Sequence, residues 1–418
     1  MPTDSNSSAP NFAHTFNPFD GEQHRDPFAL FEQMRREQPV FWSPALGMWV
    51  VSRHADICSV LRDPERFTSL DAYAIGAEFT PEAGALLATG HPLTRTLLDN
   101  DGLEHARLRR IVGSALNGKK VEQWRPRIRA LASELLDGFV SAGRVDIAAA
   151  FAEPFPLRVI LDMLGVPLAD LPQIKRWSDD WFELLFARVP PEQQVARVES
   201  YLEFQRYCDR MIDARTANPG QDALSEMLQA GRAEQVPPSR AELISLISGA
   251  FIAAGHETTS RMLCNTLRVL LTTPGAWAAI VADPGRIARD LEEALRVEGT
   301  ALGMLRVTTA EVVLGGQTIP AGARVYVLYA SGSRDEEQFR CPAQFDPARA
   351  NVMDHLGFGR GAHYCVGALL ARAQARIALE LFAERLPGLR LAAEPAPIYR
   401  SHVTIRGPVS MWLEWDVA

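Results

Sequence analysis

Residues 239–271 restrict the fold more than any other segment of this chain. Ser239 followed by Glu242 is the reciprocal pair that starts a helix, each side chain capping the other residue's backbone N–H. Pro274 marks its end, because proline cannot continue the ladder. The implied helix has over 30 residues, roughly 45–50 Å at 1.5 Å per residue. A rod of that length crosses a whole domain, so other elements must be arranged around it. Its nearly apolar run, 243–255, covers 13 residues and includes two serines, whereas a bilayer span needs about 20 apolar residues. The segment is expected to be the spine of a soluble domain without a membrane anchor.

Apolar residues at i, i+3 and i+4 spacing predict further helices at 28–37, 54–61, 105–116, 126–141 and 366–386. Strand signals are fewer: 48–52, a hairpin over 312–319 turning at Gly315-Gly316, a β-rich run at 324–329, and a terminal pair of 403–405 with 410–415. The expected fold class is mainly α with small β-sheets. Residues 1–15 read as a disordered polar tail and 16–418 as a single domain without repeats or linkers. The stretch 69–101 is long and irregular, the kind of connection that serves as a lid.

Composition excludes some partners. The net charge of -8 opposes nucleic acid, whose phosphates want a basic surface. The five cysteines, Cys58, Cys208, Cys264, Cys341 and Cys365, form no CxxC motif, and such a scattered odd set fits a reducing compartment. The first residues lack the apolar core of a signal peptide. A cytoplasmic location is expected.

Chemistry concentrates at Phe358-Gly359-Arg360-Gly361-Ala362-His363-Tyr364-Cys365-Val366-Gly367. A lone cysteine is most often a small buried hydrophobe. Here Gly359 and Gly361 permit a tight turn, and the following helix sets Cys365 at a helix N-terminus, where the dipole favours a thiolate. Such a loop presents sulfur to a flat macrocycle with backbone packed beneath. The rival reading is a Cys/His nucleophile with His363, but that spacing does not bring imidazole to sulfur. Inside the spine lies Ala254-Gly255-His256-Glu257-Thr258-Thr259 between apolar flanks. Gly255 weakens the helix by about 1 kcal/mol relative to Ala, and Thr258 can bond back to the preceding turn and bend it. Glu257 and Thr258 place an acid beside an alcohol. Glu293 and Arg296 share a helix face at i, i+3, and His105 and Arg109 share one at i, i+4, suiting a carboxylate.

The pattern FxxGxxxCxG, complete at Phe358, Gly361, Cys365 and Gly367, resembles the heme-binding signature of the cytochrome P-450 family. The 254–258 run resembles that family's AGxET site, Glu293-x-x-Arg296 its ExxR helix, and Phe345-Asp346-Pro347-Ala348-Arg349 the segment that joins the ExxR pair. With His105/Arg109 and Arg306, six motifs stand in the family's order between about residues 17 and 415. The resemblance implies heme b with Cys365 as iron ligand, Phe358 and Gly359 on the cysteine side, and Ala254 and Gly255 on the opposite side. It implies propionate contacts from His105, Arg109, Arg306 and His363, dioxygen and water oriented by Thr258, and proton relay by Glu257. Glu293, Arg296 and Arg349 are implied to be structural. Phe251, Ala254, Thr258, Leu302, Gly303, Met304 and Val403 are the implied pocket wall. The family often has proline shortly after the ExxR arginine, but here the run is Val297-Glu298-Gly299-Thr300, and Gly299 and Gly303 suggest an open wall.

The expected activity is that of a heme-thiolate monooxygenase. It inserts one atom of O2 into a non-polar organic substrate by hydroxylation, epoxidation or dealkylation, with electrons from a separate ferredoxin or flavodoxin. Arg107, Arg110, Lys119 and Lys120 are a candidate docking patch, with ordinary solvated surface the alternative. A peroxide-driven heme-thiolate enzyme and a non-catalytic heme sensor or partner protein are the rivals. Neither needs the Glu257–Thr258 pair.

Overall fold

A computed structural model describes residues 12–73, 79–186 and 189–417. The spine runs as three abutting stretches, Arg240–Ser245, a wider π-helical Leu246–Ala253, and Ala254–Thr272. Its capping box forms, Glu242 N donating to Ser239 Oγ at 3.2 Å and Ser239 N to Glu242 Oε2 at 2.7 Å. The widened stretch departs from the regular helix expected of the pattern. Beside it, the Ser248 hydroxyl donates to the Ile244 carbonyl at 2.8 Å, giving that acceptor a second claimant. Helices Pro154–Met163, Leu171–Phe186, Ile287–Val297 and Ala368–Arg385 pack around the spine. Their apolar faces, with Phe151, Phe155, Ile160, Leu267, Leu291 and Phe382, form the largest core.

The helices expected at 28–37, 54–61, 105–116 and 366–386 appear as Phe28–Glu37, His54–Arg62, Gly102–Leu116 and Ala368–Arg385. That at 126–141 is shifted to Gly118–Asp137, because Asn117 Oδ1 accepts the Lys120 N–H at 3.1 Å and starts the helix earlier. Pro126 is accommodated inside it. The stretch 69–101 is not irregular throughout: Thr80 caps a helix at Pro81–Leu87. Residues 74–78 of that stretch lie outside the described residues. Of the expected tail, 1–11 lie outside the description, while Phe12–Thr15 form a helical turn. Phe12 is 1% exposed and its ring centroid is 6.1 Å from that of Phe41, an anchor that the polar composition around it conceals.

The main sheet has the order Val40–Ser43, Met48–Val51, Arg324–Val327, Met304–Thr308, Phe67–Thr68. The hairpin Val312–Leu314 with Gln317–Ile319 turns through Gly315 and Gly316, at φ +54° and +78°, as a two-residue turn with both central residues left-handed requires. The β-rich run ends at Val327, since Tyr329–Gly332 is helical. The terminal pairing is corrected: Pro408–Ser410 pairs with Ile398–Tyr399, and Trp412–Glu414 lies between Arg144–Asp146 and Arg390–Leu391. Ile405 makes a single bridge, to Ala301. Alternation marks a strand but not its partner.

Two buried carboxylates tie these layers together. Glu293 accepts from Arg296 at 2.7 and 2.8 Å and from Arg349 at 3.3 Å. Arg296, 0% exposed, spends its remaining donors on the carbonyls of Ser333, Pro342 and Gln344. Glu298 is held by Arg268, Arg334 and Arg406. Arg406 also donates to the carbonyls of His24 and Arg25, and Arg334 and Arg406 lie over the Phe28 ring.

His24, 2% exposed, yields a pH prediction. Burial, then the charges of Arg406 and His402, lower its pKa from 6.5 to about 4. Between those values the unfolded chain binds more protons than the folded one. The contribution is therefore present above pH 6.5 and lost as pH falls toward 4, on the order of 3 kcal/mol. His24→Leu should flatten that limb of stability in urea titrations. An unaltered slope between pH 4 and 6.5 would remove His24 from the acid response.

Candidate active site

The cysteine loop is shaped by backbone that only glycine adopts easily. Gly359 and Gly361 have φ +68° and +74°, and a Cβ on Gly361 would sit 2.5 Å from the Leu61 carbonyl oxygen. Cys365 N donates to Phe358 O at 2.9 Å, closing the loop. The helix starts at Ala368, so Cys365 lies just ahead of it. Its side chain is accessible, yet burial is the largest influence on the thiol. Both hold for a side chain surrounded by protein atoms on most sides and accessible on another. Burial raises its pKa despite the Gly367 amide, Arg109 and Arg372. The expected pull of the helix terminus is present in the Gly367 amide, which acts against burial.

Beneath the loop, Arg372 lies 4.3 Å over the Phe358 ring and donates to Glu292 at 2.6 and 2.8 Å. His355 Nε2 is 3.1 Å from the same carboxylate. Burial would raise the Glu292 pKa, but Arg372 and His355 outweigh it and lower it to about 2. None of these three was picked out in the sequence. Glu292 neighbours Glu293 and carries no separate motif.

The four expected carboxylate-binding residues come together. The rings of His105 and His363 are 4.2 Å apart. Burial, then His363 and Arg109, lower the His105 pKa to about 4, and Arg306 acts on it too. His105 Nε2 is buried without a hydrogen-bond partner among the described residues. Arg306 uses one donor on its neighbour's carbonyl, Leu305 O, at 2.7 Å. One carboxylate, Asp101, faces this group: His363 Nε2 lies 3.0 Å from Asp101 Oδ1. Asp101 also receives Thr68 and the Ser69 amide, and these bonds outweigh burial to lower its pKa to about 2. Two guanidinium cations, Arg109 and Arg306, against the carboxylate of Asp101 leave the cluster short of negative charge. That donor set suits a ligand with two carboxylates, and with the accessible Cys365 it fits a heme.

On the spine, Ala254 is exposed and Gly255, Glu257 and Thr258 are half-buried, although Phe251–Ala253 and Thr259–Cys264 around them are buried. This part of the spine borders open space. Thr258 Oγ1 donates to Ala254 O at 2.9 Å, the back-bond expected from its type. Glu257 is ion-paired with Arg261 at 2.5 Å. Burial would raise its pKa, but Arg261, His256 and Lys175 outweigh it and hold the carboxyl below its ordinary range.

The implied pocket wall divides. Ala254, Thr258 and Met304 retain exposure, whereas Phe251, Leu302, Gly303 and Val403 are buried. The open-wall reading of the glycines is corrected. A side chain at Gly303 would collide with the Tyr326 ring and come 2.6 Å from Val327 O, and one at Gly299 would come 2.8 Å from Leu295 O. Both admit close packing. Instead, half-buried rings run in series: Tyr73 to Phe186 at 5.9 Å, Phe186 to Phe182 at 4.7 Å, and Phe182 to His402 at 5.1 Å. The Tyr73 hydroxyl lies 3.0 Å from Met304 Sδ, tying the 69–101 stretch to the wall strand. Of the candidate docking patch, Arg107 is paired with Glu104 and Glu242, Arg110 with Glu234, and Lys120 with Glu226. No helix among the described residues is long and apolar enough to cross a membrane.

Residues 288–386 match the family model described as Cytochrome P450. The chain is 34% identical over 395 residues to the mycinamicin IV hydroxylase/epoxidase of Micromonospora griseorubida, covering 92% of this chain and 93% of that protein. It is 32% identical over 397 residues to cytochrome P450 monooxygenase PikC of Streptomyces venezuelae, covering 93% and 91%. The heme domain of a Tepidiphilus thermophilus P450 has the same fold, with TM-score 0.92 at 31% identity over 97% of this chain and 98% of that one. Sequence likeness over nearly the full length, carrying the cysteine loop and the spine with it, makes this chain a heme-dependent monooxygenase of the cytochrome P450 family.

Proposed function

We propose that Cys365 would hold the iron of heme b through its sulfur, and that the enzyme inserts one atom of O2 into a non-polar organic molecule by hydroxylation, epoxidation or dealkylation. Electrons come from a separate ferredoxin or flavodoxin, in the cytoplasm. The reading rests above all on one pairing: an accessible cysteine in a glycine loop, together with a threonine alcohol beside an ionised acid where the spine borders open space. When bound, heme supplies the electron storage and the splitting of dioxygen.

The remaining tasks fall to side chains. Cys365 donates through sulfur. His105, Arg109, Arg306 and His363 orient the carboxylates. Thr258, donating to Ala254 O, keeps lone pairs free to accept a hydrogen bond, and rotation lets it donate in turn. Glu257 holds a proton in transit and returns it to Thr258. The apolar flanks exclude water, so electrons are not lost to peroxide. The hydroxylase/epoxidase relative supports the first two reaction types. The acid–alcohol pair favours dioxygen over a peroxide-driven route.

Thr258→Ala tests this. Product per reductant should fall about tenfold while reductant consumption changes less than about twofold and peroxide release rises. Thr258→Ser should restore coupling. Unchanged coupling in the alanine variant would take Thr258 out of the mechanism.

A further inference from the structure

Next to Glu257 lies a buried base that the mechanism above does not use. His256 is 1% exposed. Its Nδ1 lies 2.8 Å from Ile252 O, so Nδ1 carries the hydrogen. Nε2 is then a bare lone pair, and it is buried with no hydrogen-bond partner among the described residues. A buried acceptor left bare costs folding energy, which calls for a use. One ligand atom from each of His256, Asp179 and Glu257 lies within 4.8 Å of the others, a gap that one side-chain rotation or one bridging water spans. Asp179, on helix Leu171–Phe186, has a side chain 45% exposed. The three thus run from solvent to the neighbour of Thr258.

The charges around them are balanced. Lys175 binds Asp179 at 2.5 and 2.6 Å. Arg261 binds Glu257 at 2.5 Å and Glu153 at 3.4 Å. His402 also faces Glu257. With each carboxylate already paired, a divalent cation would have to displace Lys175 and Arg261. A proton needs no such displacement.

We infer that Asp179, His256 and Glu257 form the route by which solvent protons reach the Thr258 hydroxyl, His256 being a positioning residue that takes and returns a proton at Nε2. The inference rests on the monooxygenase reading, whose reaction consumes two protons per turnover. A proton taken up at Asp179 moves to His256 Nε2, and the N–H so formed gives it to the Glu257 carboxylate. Glu257 passes it to Thr258, and His256 returns to its neutral Nδ1–H form. Each transfer breaks one O–H or N–H bond and makes another, with no change of oxidation state. Burial holds His256 below its ordinary pKa, so it sheds the proton readily.

The test uses full-length heme-loaded protein and two variants. His256→Gln keeps a donor for Ile252 O but cannot take up a proton. Asp179→Asn changes a half-exposed group and keeps the protein testable if the buried variant fails to fold. O-dealkylation of 7-ethoxycoumarin is driven either by NADH through a surrogate ferredoxin–reductase pair or by hydrogen peroxide, which brings its own protons. Both variants should slow the NADH-driven reaction about tenfold with an enlarged solvent isotope effect. The peroxide-driven reaction should stay within about twofold, which general structural damage would not spare. Asp179→Glu should restore the rate. In nitrogen-15 histidine spectra, the His256 titration should move in Asp179→Asn. Equal losses in both drives, or a His256 titration indifferent to Asp179, overturn the route. A wild type whose reduced carbon monoxide complex lacks the thiolate spectrum overturns the monooxygenase reading itself.

Discussion

Cys365→Ser should erase the red-shifted Soret band of the reduced, carbon monoxide-treated protein and lower reductant-driven turnover by on the order of 10³-fold or more, about 4 kcal/mol of barrier. Sulfur donates electron density that a serine oxygen does not. The loss should be electronic and not structural. The shape of the loop comes from Gly359, Gly361 and the Cys365 N to Phe358 O bond, none of which needs the sulfur. Unfolding free energy should change by less than about 1 kcal/mol. Absorption spectra of wild type and variant, with urea melts alongside, decide the matter. A wild-type spectrum of the histidine-ligand kind, or a serine variant that keeps the thiolate band, would end the assignment.

The largest stability loss is expected at the buried Arg296–Glu293 pair. Arg296→Met leaves Glu293 buried with the Asp346 amide and Arg349 as its remaining donors and takes a donor from the carbonyls of Ser333 and Pro342. Breaking one side of a buried ion pair costs about 3–5 kcal/mol, against a total stability of about 5–15 kcal/mol. The variant should yield little heme-loaded protein and unfold at markedly lower urea. Arg296→Lys should not rescue it, since an ammonium cannot reproduce a fork that reaches Glu293 twice and three carbonyls besides. The double variant Glu293→Gln/Arg296→Met should lose less than the sum of the single losses. A loss under about 1 kcal/mol for Arg296→Met would show that the hub does not hold the fold together.

Legibility in the sequence followed the reach of each interaction. The spine and the cysteine loop were readable because capping, glycine conformation and helical spacing are local. His105 and Arg109 were readable as a pair at one helical turn. Asp101 was not, since its value to the site comes from His363 and Ser69, distant in sequence. Arg372, His355 and Glu292 meet beneath Phe358 only after three elements dock. Gly303 was misjudged because an absent side chain reads as space, while Tyr326 fills it in three dimensions. The π-helical stretch keeps an apolar pattern that a regular helix would also have. Of the expected terminal pair, 410–415 holds a strand at Trp412–Glu414 while 403–405 does not, and the partners at 144–146, 390–391 and 398–399 had no local signal.

Glu298 has a consequence for how the molecule opens. Through Arg268, Arg334 and Arg406 it binds the spine, the segment after the main sheet and the C-terminal turn, and Arg406 reaches on to the carbonyls of His24 and Arg25. Five segments remote in sequence share one buried charge cluster. Detaching the segment that carries Glu298 would leave three arginines without their shared carboxylate. The amides around the cluster should therefore exchange with solvent as one cooperative unit, protected to a similar degree. Because the charges are buried, salt does little to loosen them. The first and last parts of the chain should then open together, and the spine with them.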